Sequence, residues 1–294
     1  MHALYRKLVL DCSVLTRLIE ILKTPNPNLQ KNAASILEYL AITEPNELTA
    51  AVAEIESGLV DVFQQSFLEV TEENTAIEPE LSVAQTEEIG SIISAASRLL
   101  TKLLDIEHFS KSINSKHLIH TLRKLLKSSI PLHAKDWVAA CLVKLESSFG
   151  LPFHINNPIT VEVTLYGTIP KLLEHIKTSS SFEVQEAAAV ELNSLISMGG
   201  VDFTRAVAEQ GGIFPLVKMI EDASGIGLES CLTILYNLSM DSENHSAIIA
   251  AGAIPALRRI QLMRNQSDGL MGLPIKTILI RQCSFLFHAD FEYD

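Results

Sequence analysis

With 294 residues, a net charge of −12, 47% apolar residues and only 6% aromatics, the chain suits stacked Leu/Ala/Ile helices. The same figures argue against a general affinity for nucleic acid or an anionic membrane. No apolar run reaches transmembrane length, and no secretory pattern follows Met1. Cys12, Cys141, Cys231 and Cys283 form no CxxC pair, and each lies in an apolar helical pattern. They read as reduced core thiols of an intracellular protein, cytoplasmic or nuclear, with organellar targeting by an upstream sequence left open.

In chain order, residues 3–22 (ALYRKLVLDCSVLTRLIEIL) keep helical spacing until Thr24-Pro25-Asn26-Pro27-Asn28, which is a break and a helix start. LQKNAASILEYL follows, with Leu37 and Leu40 on its apolar face. A second unit begins near Glu44-Pro45-Asn46, and Glu56-Ser57-Gly58-Leu59-Val60 predicts a turn inside it. The pattern fails over 68–88, where seven glutamates meet no Lys or Arg. That composition predicts an acidic loop, either a tolerated insertion or a docking segment. SIISAASRLLTKLL then restores the helix, with Leu100 and Leu103 in the places of Leu37 and Leu40.

The third unit is HFSKSINSKHLIHTLRKLL followed by PLHAKDWVAACLVKL, with Leu142 and Leu145 as its paired leucines. His117 and His120 take the turn positions of this unit. No third ligand stands at metal spacing beside them, so they read as surface or turn histidines and no metal site is assigned. Between 149 and 166 lies an irregular insert in which Val161, Val163 and Leu165 alternate with Thr160, Glu162 and Thr164, predicting a short strand. Gly167-Thr168-Ile169-Pro170 restarts the helical pattern.

From Glu183 to Ile260 the chain says nearly the same thing twice. Gly212-Ile213-Phe214-Pro215 lies over Gly252-Ala253-Ile254-Pro255 at an offset of 40 residues, a helical-repeat period. Gly212 and Gly252 predict positive-φ turns between helices, and Pro215 and Pro255 fit the first turn of the helix that follows. Leu192 and Leu195 in one copy match Leu235 and Leu238 in the other. These residues resemble the armadillo repeat, a short helix, a turn, a second helix and a longer third helix. The resemblance implies an all-α, right-handed α-solenoid of about six repeats with three helices each and incomplete end repeats. It reads as one array over 1–294, in units of roughly 1–43, 44–106, 107–150, 151–198, 199–240 and 241–290.

Residues 3–22 and the apolar stretch 273–287 leave both ends uncapped in this pattern. Self-association, or further chain covering the end repeats, is the expectation. No P-loop, GxGxxG after a strand, GxSxG elbow or HExxH is present, so no enzyme activity and no cofactor is assigned.

What the resemblance implies is a protein-interaction scaffold or adaptor that takes an extended segment of a partner along the face of its third helices. Asn237 matches the asparagine that clamps a peptide backbone in the import-adaptor and catenin branches. Tyr39, Lys102, Lys144 and Ser194 hold that place in other units, so a nuclear-import role is disfavoured. The stretch NLSMDSENHSAIIAAGAIPAL also resembles arrays of plant U-box ubiquitin ligases. That leaves a substrate-recognition role as an alternative, its catalytic-partner domain lying outside this sequence. Arg98, Lys102, Trp137 and Lys144 fall on equivalent faces of two neighbouring third helices and predict a positive strip for an acidic segment. The competing reading packs Trp137 against a helix and leaves the cations as a solvated face. A further occupant of the strip would be the chain's own acidic segment, 69–88.

Overall fold

The computed structural model describes residues 12–72, 83–147, 157–222 and 225–266. All regular structure among the described residues is helical. The chain divides into two compact units, Met1–Gly167 and Thr168–Asp294. The expected helix at 273–287 and the segment 3–11 lie outside the described residues.

In the first unit, α1 (Cys12–Leu22) leads to α2 (Pro27–Thr43). Asn26 starts α2 by accepting the Leu29 N–H at 3.1 Å, and Pro27 sits where an N–H is not needed. A 3-10 segment, Pro45–Ala51, joins α2 to α3 (Val52–Glu72), and α4 (Val83–Leu103) follows. Next come α5 (Glu107–Ser112), α6 (Ser115–Lys127), α7 (Leu132–Ser147) and α8 (Pro158–Val163). The longer helices α2, α4 and α7 pack side by side. Leu37 and Leu40, Leu100 and Leu103, and Leu142 and Leu145 are all buried between them, as the repeat pattern requires. Ala33, Ala34, Ala95 and Ala96 are buried too, and their small side chains let these helices approach closely.

Four local expectations are corrected in this unit. No turn occurs at 56–60, because α3 runs unbroken through Gly58. A Cβ on Gly58 would stand 3.1 Å from Leu22 Cβ, so the glycine serves close approach of α3 to α1 rather than a turn. The acidic segment is helical at both ends: α3 extends to Glu72 and α4 starts at Val83, leaving only 73–82 outside the described residues. Buried Val70 and Ile89 hold those ends to the core, while Glu69, Glu87 and Glu88 are exposed. In the third unit the bend falls at Ile113-Asn114, before α6, so His117 and His120 lie on the exposed side of a helix rather than at a turn.

The strand expected at 160–165 is a helix. Asn157 accepts the Ile159 N–H at 3.0 Å, Pro158 opens α8, and a π-turn, Thr164–Thr168, carries the chain onward. Thr160, Thr164 and Gly167 are buried at helical spacing, a periodicity that the alternation of β-branched residues concealed. Glu162 fixes this helix to α6: Arg123 donates to it at 2.6 and 2.7 Å, and Lys127 pairs with it at 2.6 Å. Lys127 also lies 5.8 Å from the Tyr166 ring centre.

The hydrogen bond from Arg123, helped by Lys127, holds the Glu162 carboxyl below its ordinary value of 4.5. A lowered folded-state pKa means stability that is present above the unfolded value and lost as pH falls through the folded one. Glu162→Gln should therefore cost about 1 kcal/mol at pH 7, discounted for the partly exposed cations. That cost should fade below pH 4. Urea midpoints of the two proteins at pH 7 and at pH 3.5 check it, and an equal gap at both would refute the assignment.

In the second unit, α9 (Ile169–Thr178) and α10 (Phe182–Glu209) pack together, and α10 packs on α12 (Gly225–Ser239). The remaining helices are α11 (Ile213–Asp222), α13 (His245–Ala250) and α14 (Ala253–Gln266). Gly200, at φ 58° and ψ −134°, kinks α10 and ends its third-helix portion. Gly252 takes the expected positive φ, 85°. In the preceding copy the positive φ falls on Gly211, at 70°, and not on Gly212. Pro215 and Pro255 occupy the first turns of α11 and α14.

Candidate functional site

In the first unit the third helices α2, α4 and α7 bring four of the expected residues to one region. Glu38 of α2 accepts from Arg98 Nε of α4 at 3.1 Å, and the Arg98 guanidinium lies 5.9 Å from the Trp137 ring centre on α7. A carboxylate, a guanidinium and an indole thus form a ladder across three successive helices. Trp137 is 37% exposed, so its ring presents a face to solvent instead of being enclosed between helices. Lys144 Nζ donates to the Thr101 carbonyl at 2.8 Å and to Asp105 at 2.6 Å. Lys102, beside Thr101, is half-buried and forms no ion pair among the described residues. Of the three cations expected to make a positive strip, two are matched by Glu38 and Asp105, partners that sequence spacing does not reveal.

Asn237 belongs to the second unit. It lines an open groove of about 970 Å³ formed by both portions of α10, α12 and the turn after it. Val201, Thr204, Arg205, Tyr236 and Met240 share the lining. Val201 and Met240 are among the most exposed large apolar residues of the chain, each at 70%. The Asn237 amide makes no side-chain hydrogen bond among the described residues, and Arg205 makes no ion pair there. An amide with a donor and an acceptor, an uncommitted guanidinium and exposed apolar side chains can together hold a peptide unit with an apolar and an acidic side chain.

The groove exists because Gly200 redirects the chain: residues 201–205 swing beside α12 instead of continuing the third helix. Sequence reasoning reached Asn237 alone. The signal for the rest was present in Gly199-Gly200 immediately after a periodic stretch, and in Met240 one turn after Asn237.

Residues 3–42 match the model of the Armadillo/beta-catenin-like repeat. Over this stretch the chain is similar to an armadillo repeat. No curated protein matches the chain. Two crystal structures of engineered proteins are similar over nearly the whole length. One is 16% identical, covering 92% of this chain and 98% of its own at a TM-score of 0.35. The other is 18% identical, covering 93% and 95%, at 0.33. Among the described residues no helix is long and apolar enough to cross a membrane, and no cluster of three ligating side chains is found.

Proposed function

We propose that this protein is a non-enzymatic interaction scaffold whose third-helix faces take an extended segment of a protein partner. The observation that carries the reading is the groove of about 970 Å³ around Asn237, open to solvent, in which the Asn237 amide makes no side-chain hydrogen bond and Arg205 no ion pair among the described residues. The likeness of residues 3–42 to an armadillo repeat supports it, since stacked helical repeats bind through extended surfaces and not through a catalytic pocket. In the first unit Trp137 offers an aromatic anchor. With Arg98 and Lys144 matched by in-chain carboxylates, Lys102 is the cation of that strip left to meet an acidic side chain of the ligand.

A randomised twelve-residue peptide library displayed against the full chain tests this. Peptides should be enriched, and the best should lose about tenfold in affinity to Asn237→Ala or Trp137→Ala, the scale of removing one anchor at an interface. Lys102→Glu should weaken acidic peptides further and reduce their salt dependence. Selection of no peptide, or of peptides indifferent to all three substitutions, would remove the reading.

A further inference from the structure

Helix α6 (SKHLIHTLRKLLK) carries six basic residues and no carboxylate, in a chain of net charge −12. Burial fixes its rotation, since Leu118, Leu122, Leu125 and Leu126 are all sealed in the core. At about 100° per residue, Lys116, His117, His120, Arg123, Lys124 and Lys127 then fall within an arc of about 120° opposite those leucines. All of them are exposed except the half-buried Arg123. The stripe is partly held in place. Glu162 fixes Arg123 and Lys127 toward one edge, and the Phe67 ring of α3 lies 5.7 Å from Lys124 Nζ at the other. Lys116 and Lys124 form no ion pair among the described residues.

We propose that this stripe is a docking site for an acidic helix of a partner protein. The stripe sets the sign of the partner, and its neighbours set the width. Packed alongside it, α3 has Glu54, Glu56, Asp61, Glu69 and Glu72 and no cation. An anionic membrane or a nucleic-acid duplex is broader than one helix and would meet these carboxylates as well as the stripe, against repulsion. A single helix, about 10 Å across, can lie on the stripe alone. Spacing and backbone chemistry favour a helix over an extended segment. Lys116, His120 and Lys124 follow one another at i, i+4, so their charges step about 6 Å along α6, and carboxylates four residues apart on a partner helix keep the same step. An extended segment would bring unpaired backbone groups to a surface whose own amides are closed within helices, whereas a helix arrives with its backbone satisfied. Exposed ion pairs are individually weak, so binding should be micromolar or weaker and sensitive to salt. The stripe shares no residue with the third-helix faces and stands or falls separately from them.

The probe is a fluorescein-labelled alanine-based peptide of about 17 residues, long enough to form a helix, with glutamate at every fourth position. Fluorescence anisotropy follows its titration with the full chain at about 20 mM salt, where screening is weak. The peptide should bind, and a twin with glutamine for glutamate should not. Lys116→Glu with Lys124→Glu should weaken binding about tenfold, and the milder Lys116→Gln about threefold. Lys31→Glu with Lys218→Glu changes the net charge equally at exposed sites elsewhere and should leave binding unchanged. Melting temperatures show whether the double reversal leaves the fold intact; if it does not, Lys116→Gln carries the test. No binding of the acidic peptide, equal binding of its glutamine twin, or an equal loss from the control pair overturns the proposal. A proline-interrupted peptide of the same charge that binds as well refutes the helix. Tighter binding of phosphatidylserine vesicles or a DNA duplex, lost with Lys116 and Lys124, would overturn it too, because the occupant would then be a broad polyanion.

Discussion

Alkaline titration should strip stability from both units between pH 9 and about 12. Cys141 and Cys231 are fully buried thiols, one in each unit. Burial pushes Cys141 from 9.0 up to about 12, against the hydrogen bonds with Thr101 and Ser97 that favour its ionised form. Burial likewise raises Cys231 to about 12, and the negative charge of Glu186 adds to the effect. In the unfolded chain both thiols ionise near 9.0, so above that pH the unfolded state sheds protons that the folded state keeps. Stability then falls with rising pH by about 1.4 kcal/mol per pH unit for each thiol, until the folded values are reached. The total is several kcal/mol, comparable with the net stability of an ordinary domain. Cys141→Ala with Cys231→Ala removes this slope and leaves the contributions of Lys and Tyr. Urea midpoints at pH 8, 9, 10 and 11 should therefore diverge, wild type falling faster than the double variant. Parallel curves would show that the thiols are not sealed as the structure has them.

The fold was legible where a periodic signal and a packing need coincide. Paired leucines at one spacing are what stacked third helices demand, and Leu37, Leu100, Leu142 and Leu238 are all buried. Legibility failed where one residue type serves two ends. A glycine between apolar residues reads the same whether the chain turns there or a neighbour presses close, and Gly58 is the second case. Alternating Val and Thr read as a strand, yet the same residues bury Thr160 and Thr164 one helical turn apart once Asn157 and Pro158 start a helix. The acidic run was misjudged for a related reason: its composition hid the apolar residues, Val70 and Ile89, that tie its ends to helices.

The interaction faces were half legible for a different cause. Arg98, Lys102, Trp137 and Lys144 could be placed on helix faces by register, and three of the four meet in-chain neighbours at the distances given above. What spacing cannot supply is the partner across the sequence: Glu38 lies 60 residues from Arg98, and Asp105 lies 39 from Lys144. Counting cations without these carboxylates makes the strip look far more positive than it is. The groove at Asn237 was reached through one asparagine, while its shape depends on a backbone kink at Gly200, which the Gly199-Gly200 pair signals as a break without giving its direction.

The two adjacent glycines that close α10 should respond to alanine in opposite degree. Gly211 has φ 70° with nothing within 4 Å of an added Cβ, and its N–H donates to the Ala208 carbonyl. Gly212 then donates to the Val207 carbonyl at 2.9 Å, and the two bonds make a Schellman closure with Gly211 as its left-handed residue. Alanine at Gly211 pays only the left-handed strain, about 1 kcal/mol, and asparagine should recover part of that. Gly212 has an ordinary φ but no room: an added Cβ would stand 2.8 Å from the Val207 carbonyl oxygen, 2.7 Å from Val207 Cγ1 and 2.9 Å from Leu173 Cδ2. The oxygen is backbone and already holds the closing hydrogen bond, so relief requires moving the end of α10 away from α9 and α11. Overpacking against backbone of this kind costs about 3 kcal/mol, and no small side chain escapes it. Urea midpoints should rank wild type above Gly211→Asn, then Gly211→Ala, with Gly212→Ala far below. If Gly212→Ala proved milder than Gly211→Ala, the positive φ would belong to Gly212, as the sequence pattern first indicates, and the closure described here would be wrong.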